Sequence, residues 1–155
     1  MHTKTFFFIL LSLLIAFLLT MIKFPSWAAW FCPAFVPLLV IYWTIALPHQ
    51  VSLGTAWFLG ILMDVVNGTL LGEHALALVL ISYLSLKVYR QFRMFPIWQQ
   101  AGSVAILIGL YQFILFWIQG LIGQLVDIRL FWLPILTSSL LWPLLQNILR
   151  QRHCY

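Results

Sequence analysis

Acidic side chains are nearly missing from this chain. Asp64, Glu73 and Asp127 are the only three among 155 residues, against eight Lys and Arg. Charged residues of both signs make up 7% of the chain and hydrophobic ones 64%. A soluble domain carries about 25% charged residues to cover its surface. This composition therefore excludes a water-covered globule and points to lipid as the solvent, as does a mean hydropathy of +1.05.

Reactive constellations are equally scarce. There is no His-Glu-x-x-His for a zinc protease and no Gly-x-Ser-x-Gly nucleophile elbow. An aspartyl dyad needs two acids at one depth, but Asp64 stands inside an apolar run and Asp127 in a short loop. His2, His49, His74 and His153 are spread over both sides of the topology derived below, which does not favour a metal site. The only two cysteines, Cys32 and Cys154, fall on opposite sides, so free thiols are expected and no disulfide framework. A non-enzymatic protein without a cofactor is expected.

What the chain has is apolar runs. They predict an all-α integral membrane protein, a single polytopic domain over 1–155 with six transmembrane helices near 6–22, 33–47, 52–71, 74–89, 99–122 and 130–149. A spanning helix needs roughly 20 residues. The second span reaches this only if extended back through Pro37 and Pro33 towards Trp27, and the fourth only if Tyr89 and the stems of Lys87 and Arg90 snorkel to the interface. Eight Trp, thirteen Phe and five Tyr supply aromatic belts at segment ends. Lys4, the first apolar run and Ser26-Trp27-Ala28 loosely match a cleavable leader. The run at 6–22 is longer than the usual leader core of about 7–15 residues, so it is expected to stay as the first span.

An even number of spans puts both termini on one side. With the termini inside, the cytoplasmic regions hold Lys4, Lys87, Arg90, Arg93, Arg150 and Arg152, and the outer loops hold Lys23 and Arg129. That positive-inside bias predicts cytoplasmic termini. The net charge of +5 is then a topology signal and implies no nucleic-acid partner, because the bases are split among three patches.

Asp64 is the acid within the third run, near its middle, and a carboxylate at bilayer depth costs roughly 3 kcal/mol on insertion scales. Gly60, Asp64, Gly68 and Gly72 follow at four-residue spacing, which places them on one helix face as a helix-packing or partner-binding stripe. Three roles are open for the acid: a structural group hydrogen-bonded by neighbouring helices, a docking point for another protein's helix, or an ion or substrate site. Pro48 and His49 form a tight interfacial turn after the second span, and His74 is expected as an interfacial polar cap of the fourth. Asn67-Gly68-Thr69 matches a glycosylation sequon by letter only, at a membrane-buried helix end. Lys87, Arg90, Arg93 and Trp98 mark a basic-aromatic hinge that would hold anionic lipid headgroups, at about 1 kcal/mol per base, or dock a cytoplasmic protein.

Ala46-Leu47-Pro48-His49, the ladder Gly60, Asp64, Gly68, Gly72, the following Ala75-Leu76-Ala77, Trp98-Gln99-Gln100 and Leu141-Trp142-Pro143 together resemble the MreD family of rod shape-determining proteins. The resemblance runs over almost the full chain and is strongest from Ile45 to Ala77. It implies a bacterial inner-membrane scaffold subunit of the cell-elongation machinery, helping to position side-wall peptidoglycan synthesis. It further implies partnership with the single-span protein MreC and links to MreB, RodZ, RodA and PBP2. Through the family's fold it implies a similarity to the six-helix substrate-capture subunits of energy-coupling-factor transporters. A small-molecule-binding transport subunit is therefore the alternative, although the short apolar outer loops offer little for a ligand pocket.

Overall fold

The computed structural model describes residues 2–22, 25, 35–51, 53–68, 71–123 and 128–153. The expectations placed on Lys23, Ser26, Trp27, Ala28, Cys32, Pro33, Thr69, Asp127 and Cys154 lie outside these residues, as do the side chains of Arg129, Arg150 and Arg152. Six α-helices and no strand occur among the described residues: α1 (His2–Met21), α2 (Phe35–Ala46), α3 (Leu53–Asn67), α4 (Glu73–Met94), α5 (Ile97–Ile122) and α6 (Ile128–His153). The protein is an all-helical membrane protein. By length and composition Thr3–Met21, Glu73–Met94 and Ile97–Ile122 are long and apolar enough to cross a bilayer, while α2 and α3 are shorter apolar helices.

The shortest helix is the centre of the bundle. Val36 to Ile45 of α2 are all buried, the pattern of a helix apolar on every side and surrounded by others. It packs on α1, α4, α5 and α6. The Trp43 indole N–H donates to Ser12 Oγ of α1 at 2.9 Å, and its ring meets Phe8 edge-on at 6.0 Å. Trp142 of α6 is 1% exposed and lies edge-on between Tyr42 of α2 and Phe92 of α4, at 5.9 and 5.6 Å. Offset and edge-on ring contacts of this kind contribute beyond their buried area.

Two of the differences in helix length from the sequence expectation shape the ends of α4 and α3. The fourth runs through the basic segment to Met94 instead of stopping near 89. It stops where Phe95 turns extended before Pro96, whose fixed φ opens α5. The third ends at Asn67, so Asp64 stands three residues from a helix end and not at mid-span. The apolar run continues to Gly72, but Gly68 takes φ 67° and Gly72 φ 102°, both left-handed, and turns the chain into α4. The four-residue ladder is consequently one helix face only as far as Asp64.

Contacts also sort the helix ends. The carboxy-terminal ends of α2, α4 and α6 and the amino-terminal ends of α1 and α5 share one end of the bundle. The α3–α4 turn and the far end of α5 share the other.

Candidate functional site

Helix α4 begins with backbone N–H groups that no preceding turn can satisfy, a deficit common to every helix start. Its N-cap is Gly72, which has no side chain to help. Asp64, reaching across from α3, supplies the acceptor instead. The Gly72 N–H donates to Asp64 Oδ2 at 2.8 Å and the His74 N–H to Oδ1 at 3.0 Å. His74 Nδ1 lies 2.7 Å from the same Oδ1. A carboxylate accepts only, so that ring nitrogen carries the proton. The carboxylate also faces the positive end of the α4 dipole, which favours its charge.

The acid is fully buried, at 0% exposure. Burial is possible because Gly60, one turn earlier, lets the two helices nearly touch. A Cβ on Gly60 would fall 2.2 Å from Ala75 Cα and 2.5 Å from its nitrogen. Gly68 and Gly72 are different: a Cβ on either would meet nothing within 4 Å. Their glycine requirement comes from the left-handed backbone. Of the expected stripe, Gly60 and Asp64 therefore meet α4 of the same chain, and Gly68 and Gly72 shape the turn that brings α4 there.

His74, in the first turn of α4, is buried and partners the acid, with its ring 6.4 Å from that of Tyr111 on α5. Beside it Glu73, also buried, accepts from Gln119 Nε2 of α5 at 3.0 Å. Tyr111 and Gln119 were not singled out from the sequence. Gln119 as an isolated amide near the end of an apolar helix is the signal that marks it. Among the described residues no three His, Cys, Asp or Glu come together to hold a metal ion.

The opposite end holds the mirror device. Arg93 Nη2 donates to the carbonyls of Ile45 and Ala46, at 3.0 and 2.8 Å, closing the carboxy-terminal end of α2. A cation there faces the negative end of the α2 dipole. Gln100, buried on α5, donates to the carbonyls of Phe92 and Phe95 at 3.0 Å each, and its Oε1 accepts from Gln146 of α6. Pro48 and His49 form the turn after α2, with the Gln50 and Val51 N–H groups donating to the Leu47 carbonyl. His49 is exposed. Lys87, Arg90, Arg93 and Trp98 are exposed as well, and within this expected hinge cluster Arg93 is the base that bonds to the end of α2.

These arrangements bind helices to each other. The hydrogen bonds from Gly72 and His74 tie the buried acid to the start of α4. The sequence profile described as rod shape-determining protein MreD matches residues 1–152 of the chain. A rod shape-determining protein MreD of Haemophilus influenzae (strain ATCC 51907 / DSM 11121 / KW20 / Rd) is 31% identical over 148 residues, covering 94% of this chain and 90% of that protein. No solved structure matches it significantly.

Proposed function

Since the chain belongs to the MreD family of rod shape-determining proteins, we propose that it acts in shape determination as a non-enzymatic scaffold. In this reading it is a single polytopic domain of the bacterial inner membrane, with six spans and both termini cytoplasmic. It helps position side-wall peptidoglycan synthesis beside an MreC-like single-span protein, with MreB, RodZ, RodA and PBP2-type proteins as further partners.

The observation that carries the scaffold reading is the use made of Asp64. An intramembrane acid is by default a candidate for ion or substrate handling. Here its two oxygens receive three hydrogen bonds from the start of α4, which is the work of a clamp between helices. Gly60 supports the same reading by bringing the α3 and α4 backbones together. A rigid helical body that presents its outer surface to other membrane proteins follows more directly from these contacts than a transport path does.

The test is complementation in a rod-shaped strain depleted of its own copy, with cell width and length measured and membrane abundance checked by blot. The parent chain should restore rods and should co-purify with an MreC-like protein or a peptidoglycan synthase. Recovery of an ATPase module or a tightly held small molecule, with no shape-system protein, would replace the scaffold reading with the transport one.

A further inference from the structure

Lys87 and Arg90 stand three residues apart on α4 and so share a face, which Met94 continues one turn further on. All three are exposed, Met94 at 86%, and Trp98 just beyond the Pro96 turn is 73% exposed. Arg90 is held in place: its Nε–H donates to the Tyr89 hydroxyl at 3.2 Å. Its Cζ lies 5.8 Å from the Tyr89 ring centroid, at the same distance as that of Arg93 on the same ring. With Nε engaged, the two terminal amino groups of Arg90 remain available, a geometry suited to two oxygens of one phosphate.

No carboxylate of the described residues balances this patch. Among the described residues none lies within ion-pair distance of Lys87, Arg90 or Arg93. Asp64 and Glu73 are at the opposite end of α4, Glu73 about 21 Å from Lys87 and about 26 Å from Arg90 along the helix axis. Arg93 directs Nη2 to the end of α2. An anion bound by Lys87 and Arg90 would therefore come from outside the described residues. The adjoining Trp98 is a side chain suited to the headgroup level of a bilayer, and Met94 beside it is an exposed apolar side chain.

We infer that Lys87 and the Tyr89-braced Arg90 bind the phosphodiester of an anionic phospholipid, with Met94 and Trp98 set against its glycerol and upper acyl region. The site needs this end of the bundle to lie at a membrane surface but does not depend on which leaflet it meets or on the scaffold role.

The full chain, purified in detergent, would be offered equal amounts of phosphatidylglycerol and phosphatidylethanolamine with identical acyl chains, and retention read by native mass spectrometry. The parent should prefer phosphatidylglycerol. Each of Lys87→Gln and Arg90→Gln should lower that preference about fivefold and the double variant about 30-fold, near the surface value per base. Lys4→Gln, at the same end but on α1, should change it less than twofold. Because Lys87 and Arg90 are exposed, helicity by circular dichroism should stay at the parent level. Three results overturn the site: no preference in the parent, an unchanged preference in the double variant, or a Lys4→Gln loss as large as that of Arg90→Gln. The first would turn attention to an acidic protein segment as the anion, and the last would reduce the patch to a diffuse field.

Discussion

At the scale of single residues, Asp64 and its glycines separate chemistry from space. Asp64→Asn keeps one oxygen. Placed at Oδ1 it retains the two bonds from His74, while the new amide faces the Gly72 N–H, donor against donor. Asp64→Leu loses all three bonds and leaves the N–H groups of α4 without an acceptor. With about 1–3 kcal/mol for each buried group left unpaired, the stability order should be parent, Asn, Leu. Unfolding in mixed SDS and mild detergent checks it, and equal loss for Asn and Leu would mean that the charge, not the bonding, matters. Gly60→Ala places a methyl against backbone that no rotamer change can relieve, so about 3 kcal/mol or more should be lost. At Gly68 the cost should be about 1–2 kcal/mol for Ala and Leu alike, because the strain lies in the left-handed backbone and there is room for either side chain. A Gly68→Leu loss far above that of Gly68→Ala, in the same unfolding assay, would point to a neighbour that this chain alone does not provide.

At the scale of elements, α4 is a strut whose two ends are joined to other helices by groups of opposite sign. Its start receives the Asp64 carboxylate from α3, and its final turn sends Arg93 to the end of α2. Each charge faces the dipole end that stabilises it. Arg93→Gln should therefore lower stability by about 1 kcal/mol, the net value of a hydrogen bond that water can partly replace at this exposed side chain, seen as a lower unfolding midpoint. Gln100 and Gln146 form a second joint, linking α4, α5 and α6. Gln100→Leu strands the Phe95 carbonyl and the Gln146 amide, the Phe92 carbonyl keeping the Phe95 N–H, while Gln146→Leu strands only the Gln100 oxygen. A double-mutant cycle should show the pair costing less than the sum of the singles, since removing both partners leaves fewer unpaired groups. Strict additivity would mean that the two amides do not depend on one another.

At the scale of the whole molecule, the bundle gathers the bases that the chain spreads out. The beginning of α1, with Lys4, lies beside the end of α2 through Phe8 and Trp43, where Arg93 also ends. The last turns of α6 follow Gln146 to the same end. If six spans cross the bilayer with this end inside, reporter fusions after Tyr155 and within Met94–Trp98 should both read cytoplasmic, and one within Asp127–Arg129 periplasmic. A periplasmic carboxy terminus would overturn that orientation.

Composition and pattern alone decide that this is a helical membrane protein, because a chain with 7% charge has no means of covering itself in water. They also decide the run-and-turn order of the helices, since Pro48, Pro96 and the paired glycines interrupt apolar runs wherever the chain is folded. The ordered motifs from Ile45 to Ala77 were enough to point to the family. What they left open was direction. Four-residue spacing from Gly60 to Gly72 reads as one face only if a helix continues, and whether it does depends on the backbone angles at Gly68. Whether Asp64 faces a partner, an ion or its own chain depends on where α4 starts in space, eight or more residues later. The same holds for Arg93, one of three similar bases until the end of α2 arrives beside it. Hydrophobic periodicity records how much of a helix is apolar. Only the packing of the helices decides which polar group meets which unsatisfied helix end, because that pairing joins residues 8 to 48 positions apart.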